Sequence, residues 1–235
     1  MRIVGRVTAV FLAVLAAWIP VDAGADTVYV PGPRIEVPSL TPRAYAAIEA
    51  RTRATHFVRS DDGPRYVIYG ANAKTPPFPS DLTPARGRAY LDTFARVAPS
   101  MNCRTDDVAH AYEFLLQAAL WAFNGTHFEQ FAPGPTIACG ARSFGAVSLD
   151  DRVHIFLGGA PGFTLLSDRA KRSLYETLVV VGGYLLDNVA RAKPGSPAMS
   201  KARADAAGVV RSLTGFRASR VHLTAAGVSI DDQAR

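Results

Sequence analysis

The chain has 235 residues, with 26 basic and 20 acidic side chains and a formal net charge of +6. A composition of 49% hydrophobic and 20% charged residues can bury the core of one ordinary domain, and it excludes collagen-like, coiled-coil and globally disordered chains. The basic excess is almost all arginine, but no run of five like charges and no basic–aromatic interleaving occurs. No specific nucleic-acid partner is therefore expected.

The N-terminus reads as an export signal. Arg2 and Arg6 precede an apolar stretch from Val7 to Ile19, and Ala23-Gly24-Ala25 offers small residues at a cleavage site. A membrane anchor is the alternative, but 13 apolar residues fall short of the roughly 20 that cross a bilayer as a helix. The expected product is secreted or periplasmic, cleaved near Ala25. The arginine-over-lysine bias and abundant alanine suit a GC-rich bacterial genome. No transmembrane segment is expected in the mature chain, because Phe114–Phe123 and Thr177–Leu186 are only ten residues each and read as buried helices.

Residues 26–80 hold eight of the sixteen prolines, so most of this stretch is expected to be an extended or irregular arm. Within it, Pro42–Thr52 fits a short helix and Arg65–Tyr69 a short strand. Its aromatics, including Phe57, favour docking on the rest of the chain over a mobile linker. From 81 to 235 the pattern becomes helical. Ser80 or Asp81 caps a helix to about Ala98, with Leu82, Ala85, Tyr90, Phe94 and Val97 on its apolar side. Thr105-Asp106-Asp107 opens a second helix to about Asn124, apolar nearly all round. Glycine and proline interrupt 126–166, with a short helix or strand around Leu149–Leu157. Ser167 then caps a long helix from Asp168 to about Lys193, with a seam at Leu174, Leu178, Val181, Leu185 and Val189. Ser196-Pro197 begins a last helix ending at Thr214-Gly215. Val221, Leu223 and Val228 alternate in an extended tail. The expected fold is mainly α: an antiparallel bundle of about four helices behind a Pro-rich N-terminal arm. The divisions are 1–25, 26–80 and 81–235.

Cys103 and Cys139 are the only cysteines, and in an oxidising compartment such a pair forms one structural disulfide. Gly182-Gly183 inside the long helix costs up to about 2 kcal/mol against two alanines, so a neighbouring helix is expected to approach closely there. A gap facing a ligand is the other reading.

Catalytic signatures are scarce. No G-x-S-x-G, S-x-x-K, H-E-x-x-H or H-x-H occurs, and Gly158-Gly159-Ala160-Pro161-Gly162 has the spacing of neither phosphate-binding loop. His110 and Glu113, three apart, share a helix face, but no matching ligand pair is visible, so neither a metal nor another cofactor is expected. The acid pairs Asp150-Asp151 and Asp231-Asp232 read as solvated or capping residues. If a catalytic site exists, its candidates are His110, Glu113 and His154.

Asp106-Asp107-Val108-Ala109 through Leu120-Trp121-Ala122-Phe123-Asn124-Gly125 resembles the first helix of an uncharacterised family of secreted bacterial helical proteins. Tyr175-Glu176-Thr177-Leu178 is similar to a second helix of that family, and Val221-His222-Leu223-Thr224-Ala225-Ala226-Gly227 to its ending. The likeness spans about 100–230 and departs at 126–166. It implies a helical exported domain and supplies neither an activity nor catalytic residues. The expected function is therefore a non-enzymatic module that binds a protein or envelope component, with aromatics such as Trp121 as contacts. An envelope hydrolase with carboxylates and histidines converging only in the fold is the alternative.

Overall fold

Proline and serine set where the helices begin. The computed structural model describes residues 42–59, 82–124, 137–140, 143–144, 147–224 and 227–230. The expected signal peptide, the strand at Arg65–Tyr69 and the pair Asp231-Asp232 lie outside the described residues. The helices are α1 (Pro42–Thr55), α2 (Pro84–Val97), α3 (Val108–Asn124), α4 (Leu149–Gly159), α5 (Pro161–Thr164), α6 (Asp168–Arg191) and α7 (Pro197–Thr214). Two antiparallel ribbons accompany them: β1 (Ser143–Phe144) with β2 (Val147–Ser148), and β3 (Val221–Thr224) with β4 (Gly227–Ile230). The fold is mainly α, with helices packed on one another.

Local chemistry explains the boundaries. Ser167 and Ser196 accept hydrogen bonds from Ala170 N and Met199 N, and Gly215, at φ 75°, ends α7 in the left-handed region. Two starts differ from the expectation. Helix α2 begins at Pro84, not near Asp81, because Thr83 accepts from Arg86 N while Pro84 presets the first turn. Helix α3 begins at Val108, and Asp107 rather than Thr105 holds its free amide, accepting from Ala109 N at 2.9 Å. The tail pairs with itself as a hairpin in which Leu223 faces Val228 in register.

Helix α3 is the centre, with every residue from Val108 to Ala122 buried. Helices α6 and α7 pack on it, α2 lies on α6, and α1 lies on α4. Ala85 and Val97, expected on the apolar side of α2, are exposed; its inner stripe is Gly87, Leu91 and Phe94, continued by Ala98 just past its end. Asp187 on α6 ties α2 down, accepting from Arg86 at 2.9 Å and from the Tyr90 hydroxyl at 2.6 Å. Burial together with the Asp187 carboxylate pushes the Tyr90 hydroxyl up to about 12.

The glycine pair in α6 marks two close approaches. A Cβ on Gly182 would lie 2.5 Å from the Phe114 ring of α3, and one on Gly183 would lie 2.8 Å from Tyr90 Cβ of α2. Phe114 is itself buried and packed against Phe94, with ring centroids 4.6 Å apart. Gly182→Leu is expected to lower stability by at least about 1–3 kcal/mol through overpacking; an unchanged thermal midpoint would refute the close packing. Gly158 of α4 meets main chain instead: a Cβ there would sit 2.5 Å from the carbonyl oxygen of Arg51 on α1.

Candidate functional site

Helix periodicity places Asp107, His110 and Glu113 one beneath the next at the start of α3, stepping by three. On α4, Asp150 and His154 are four apart and share the face turned to α3. His56 follows the last residue of α1, held by a backbone bridge to Asp107 and by Phe57 N donating to Asp106 O. Three segments far apart in sequence thus bring three histidines and three acids together. Asp107, His110, Glu113 and His154 are buried. His56 and Asp150 reach the surface in part, with side chains 31% and 22% exposed.

His154 is the hub. Its Nδ1 lies 2.8 Å from the Asp150 carbonyl oxygen and 3.0 Å from Asp150 Oδ1, and its Nε2 lies 2.9 Å from Asp107 Oδ2. Both ring nitrogens therefore face acceptors, and both carry protons. Burial alone would lower the pKa of this ring, but Asp107 and Asp150 outweigh it and hold the value up to about 11. Burial would likewise raise the two acids; instead His154 and His56 hold Asp107, and His110 and His154 hold Asp150, well below the usual carboxylate range.

The other two rings join through the same acids. His110 Nδ1 accepts a 2.7 Å hydrogen bond from Arg104 N, so its proton sits on Nε2, which faces Asp150 Oδ1 at 3.1 Å. His56 Nε2 lies 3.0 Å from Asp107 Oδ2, the same oxygen that His154 Nε2 faces. His56 Nε2, Asp150 Oδ1 and Glu113 Oε1 are buried atoms, and Asp150 Oδ1 is the oxygen that the His110 and His154 rings share.

Glu113 is the neutral acid of the group. Burial first, and then the nearby Asp150 carboxylate, raise its pKa well above the ordinary 4.5. An acid kept protonated in the fold makes stability fall as pH rises above its unfolded value, because the unfolded chain releases the proton first. Glu113→Gln keeps the shape and removes the proton. It is expected to match the wild type at pH 4 and to gain on it progressively towards pH 8, read as denaturation midpoints across that range. Parallel curves would refute the assignment.

The disulfide forms one wall. Cys103 and Cys139 are bonded, and the strand of chain at 137–140 is clamped by Gln117, which donates to Ala138 O at 2.9 Å and accepts from Ala138 N at 3.1 Å. Asn102 adds a 3.0 Å hydrogen bond to Cys139 O. This segment carries Gly140, whose backbone lies beside Glu113 and favours its charged form, though less than burial opposes it.

All three sequence candidates, His110, Glu113 and His154, meet in this cluster. His56 is not among the sequence candidates, Asp107 enters the sequence reading only as an acid at a helix start, and Asp150, read there as solvated or capping, is instead drawn between two histidine rings of the cluster. The signals available for two of them were local: Asp107-x-x-His110 and Asp150-x-x-x-His154 each put an acid and a histidine on one helix face. His56 has no such signal. Trp121, expected as a contact for a partner, is buried in the core, as is Phe57. Among the described residues no helix is long and apolar enough to cross a membrane.

Residues 146–231 match a family described as "Family of unknown function (DUF6683)". The matched stretch contains Asp150 and His154, whereas His56, Asp107, His110 and Glu113 precede it. No curated protein and no solved structure matches the chain.

Proposed function

We propose that the protein is an exported hydrolase acting on an envelope component, with the histidine–carboxylate cluster as its working centre. The observation that carries this reading is His154 held between Asp107 and Asp150, with His56 and His110 joined to it through the same two acids. A buried ionic network seldom stabilises a fold more than apolar residues of the same volume would. Perturbed ionisable groups gathered in one place are instead a mark of chemistry. Export is supported by the N-terminal signal pattern and by the paired cysteines, which suit an oxidising compartment.

The geometry divides the labour. His56 and Asp150 alone reach the surface, so water and substrate meet the cluster there. Asp150, kept ionised by the rings around it, is the group placed to accept a hydrogen bond from an attacking water and orient it. His154, Asp107, His110 and Glu113 are positioning residues that fix the two outer groups.

Envelope material from the source organism, incubated with the purified chain, is expected to release fragments detectable by mass spectrometry. Asp150→Asn is expected to lower the release rate by about a hundredfold, the scale on which a misplaced reactant loses rate. Identical release from wild type, variant and a protein-free control would overturn the reading.

A further inference from the structure

Two buried imidazole nitrogens, His56 Nε2 and His154 Nε2, converge on one oxygen, Asp107 Oδ2. Two imidazoles and a carboxylate with their donor atoms this close together are a donor set for a metal ion. We propose that His56 Nε2, Asp107 Oδ2 and His154 Nε2 bind a divalent transition-metal ion of the zinc class, with a remaining position open to water on the His56 side. This deepens the hydrolase reading and rests on it for the identity of the working centre.

Ligand type and spacing both fit. Two imidazoles and one carboxylate, with an open position, form the donor set of a catalytic rather than a structural zinc site. The two nitrogens lie 3.0 and 2.9 Å from Asp107 Oδ2, and all three atoms fall within 4.8 Å of one another. Ligands about 2.1 Å from a tetrahedral ion stand about 3.4 Å apart, so each need open by only about half an ångström.

The surroundings orient the same three atoms. His154 Nδ1 faces the Asp150 carbonyl oxygen at 2.8 Å, the outer contact that leaves Nε2 free to face an ion. Asp107 Oδ1 is occupied by Ala109 N, which leaves Oδ2 for the site. On binding, the ion displaces the proton of His154 Nε2 to solvent, and the Asp107 and Asp150 carboxylates balance its two charges. The other close trio, His110, Asp150 and His154, does not serve. His110 Nδ1 already accepts from Arg104 N, so its Nε2 holds the ring proton, and His154 Nδ1 is engaged by a carbonyl. An ion in the first trio would hold and acidify the water that hydrolysis requires.

The test uses the full oxidised chain, stripped with a chelator and titrated with Zn²⁺ by calorimetry and with Co²⁺ by visible absorption. One equivalent is expected to bind. His56→Ala, at a partly exposed position, is expected to weaken binding by about a hundredfold or more, beyond the 10–100-fold typical of outer-shell changes. His110→Ala, with folding checked by circular dichroism, is expected to keep the ion. No uptake by the wild type, equal affinity in His56→Ala, or loss of the ion in a folded His110→Ala would each overturn the proposal. Ion binding without fragment release would overturn only the hydrolase reading, and release by an ion-free chain would overturn only the metal.

Discussion

Asp107→Ala is expected to destabilise the protein by about 3–5 kcal/mol, the scale for removing one partner of a buried ion pair. The loss has two sources. One is the charge: His154 is 2% exposed and protonated on both nitrogens, and Asp107 is one of the two acids that compensate it. The other is the helix start, where Asp107 Oδ1 accepts from Ala109 N; a lost cap of this kind costs about 0.5–2 kcal/mol. Asp107→Asn separates them, since the amide oxygen can still accept from Ala109 N while the charge is gone. Urea denaturation of the three chains should therefore rank wild type above Asp107→Asn and Asp107→Asn above Asp107→Ala. An alanine variant within about 1 kcal/mol of wild type would mean that His154 is not a buried cation, a difference well below the pair-breaking scale.

Replacing both cysteines by alanine is expected to cost up to about 4 kcal/mol, from the entropy returned to an unfolded chain no longer closed between positions 36 apart. The double change avoids leaving a lone thiol. Because Gln117 and Asn102 still clamp residues 138 and 139, the folded state should keep its helical content. The denaturant midpoint should fall while circular dichroism at low denaturant stays the same. A midpoint equal to that of the wild type would mean that the loop is already closed in the unfolded ensemble.

The helices were legible because their punctuation is local. Ser167, Ser196, Pro197 and Gly215 each act within one turn, and the structure uses them where the sequence places them. The all-round apolar character of Val108–Ala122 likewise announced a central helix. The starts of α2 and α3 were less legible because several residues competed for the capping role, and only the folded backbone decides between Thr105 and Asp107. The cluster was harder still. Its halves on α3 and α4 are visible as acid–histidine spacings, but each spacing alone is ordinary on a helix. What joins them is the packing of α4 on α3 and of α1 on α4, and His56, the outermost ring, depends on a contact between segments some fifty residues apart. The interruption by proline and glycine between α3 and α4 hid that packing from any periodic pattern.

Gly158 turns the seating of α1 into a hinge point of assembly. With no side chain between them, α4 meets the main chain of Arg51 directly, and His56 stands five residues further on. The cluster is thus built in two storeys: a floor of α3 and α4 that belongs to the interior, and an upper course contributed by the end of α1. A side chain at this glycine would press on the very backbone that carries the histidine opening to the outside.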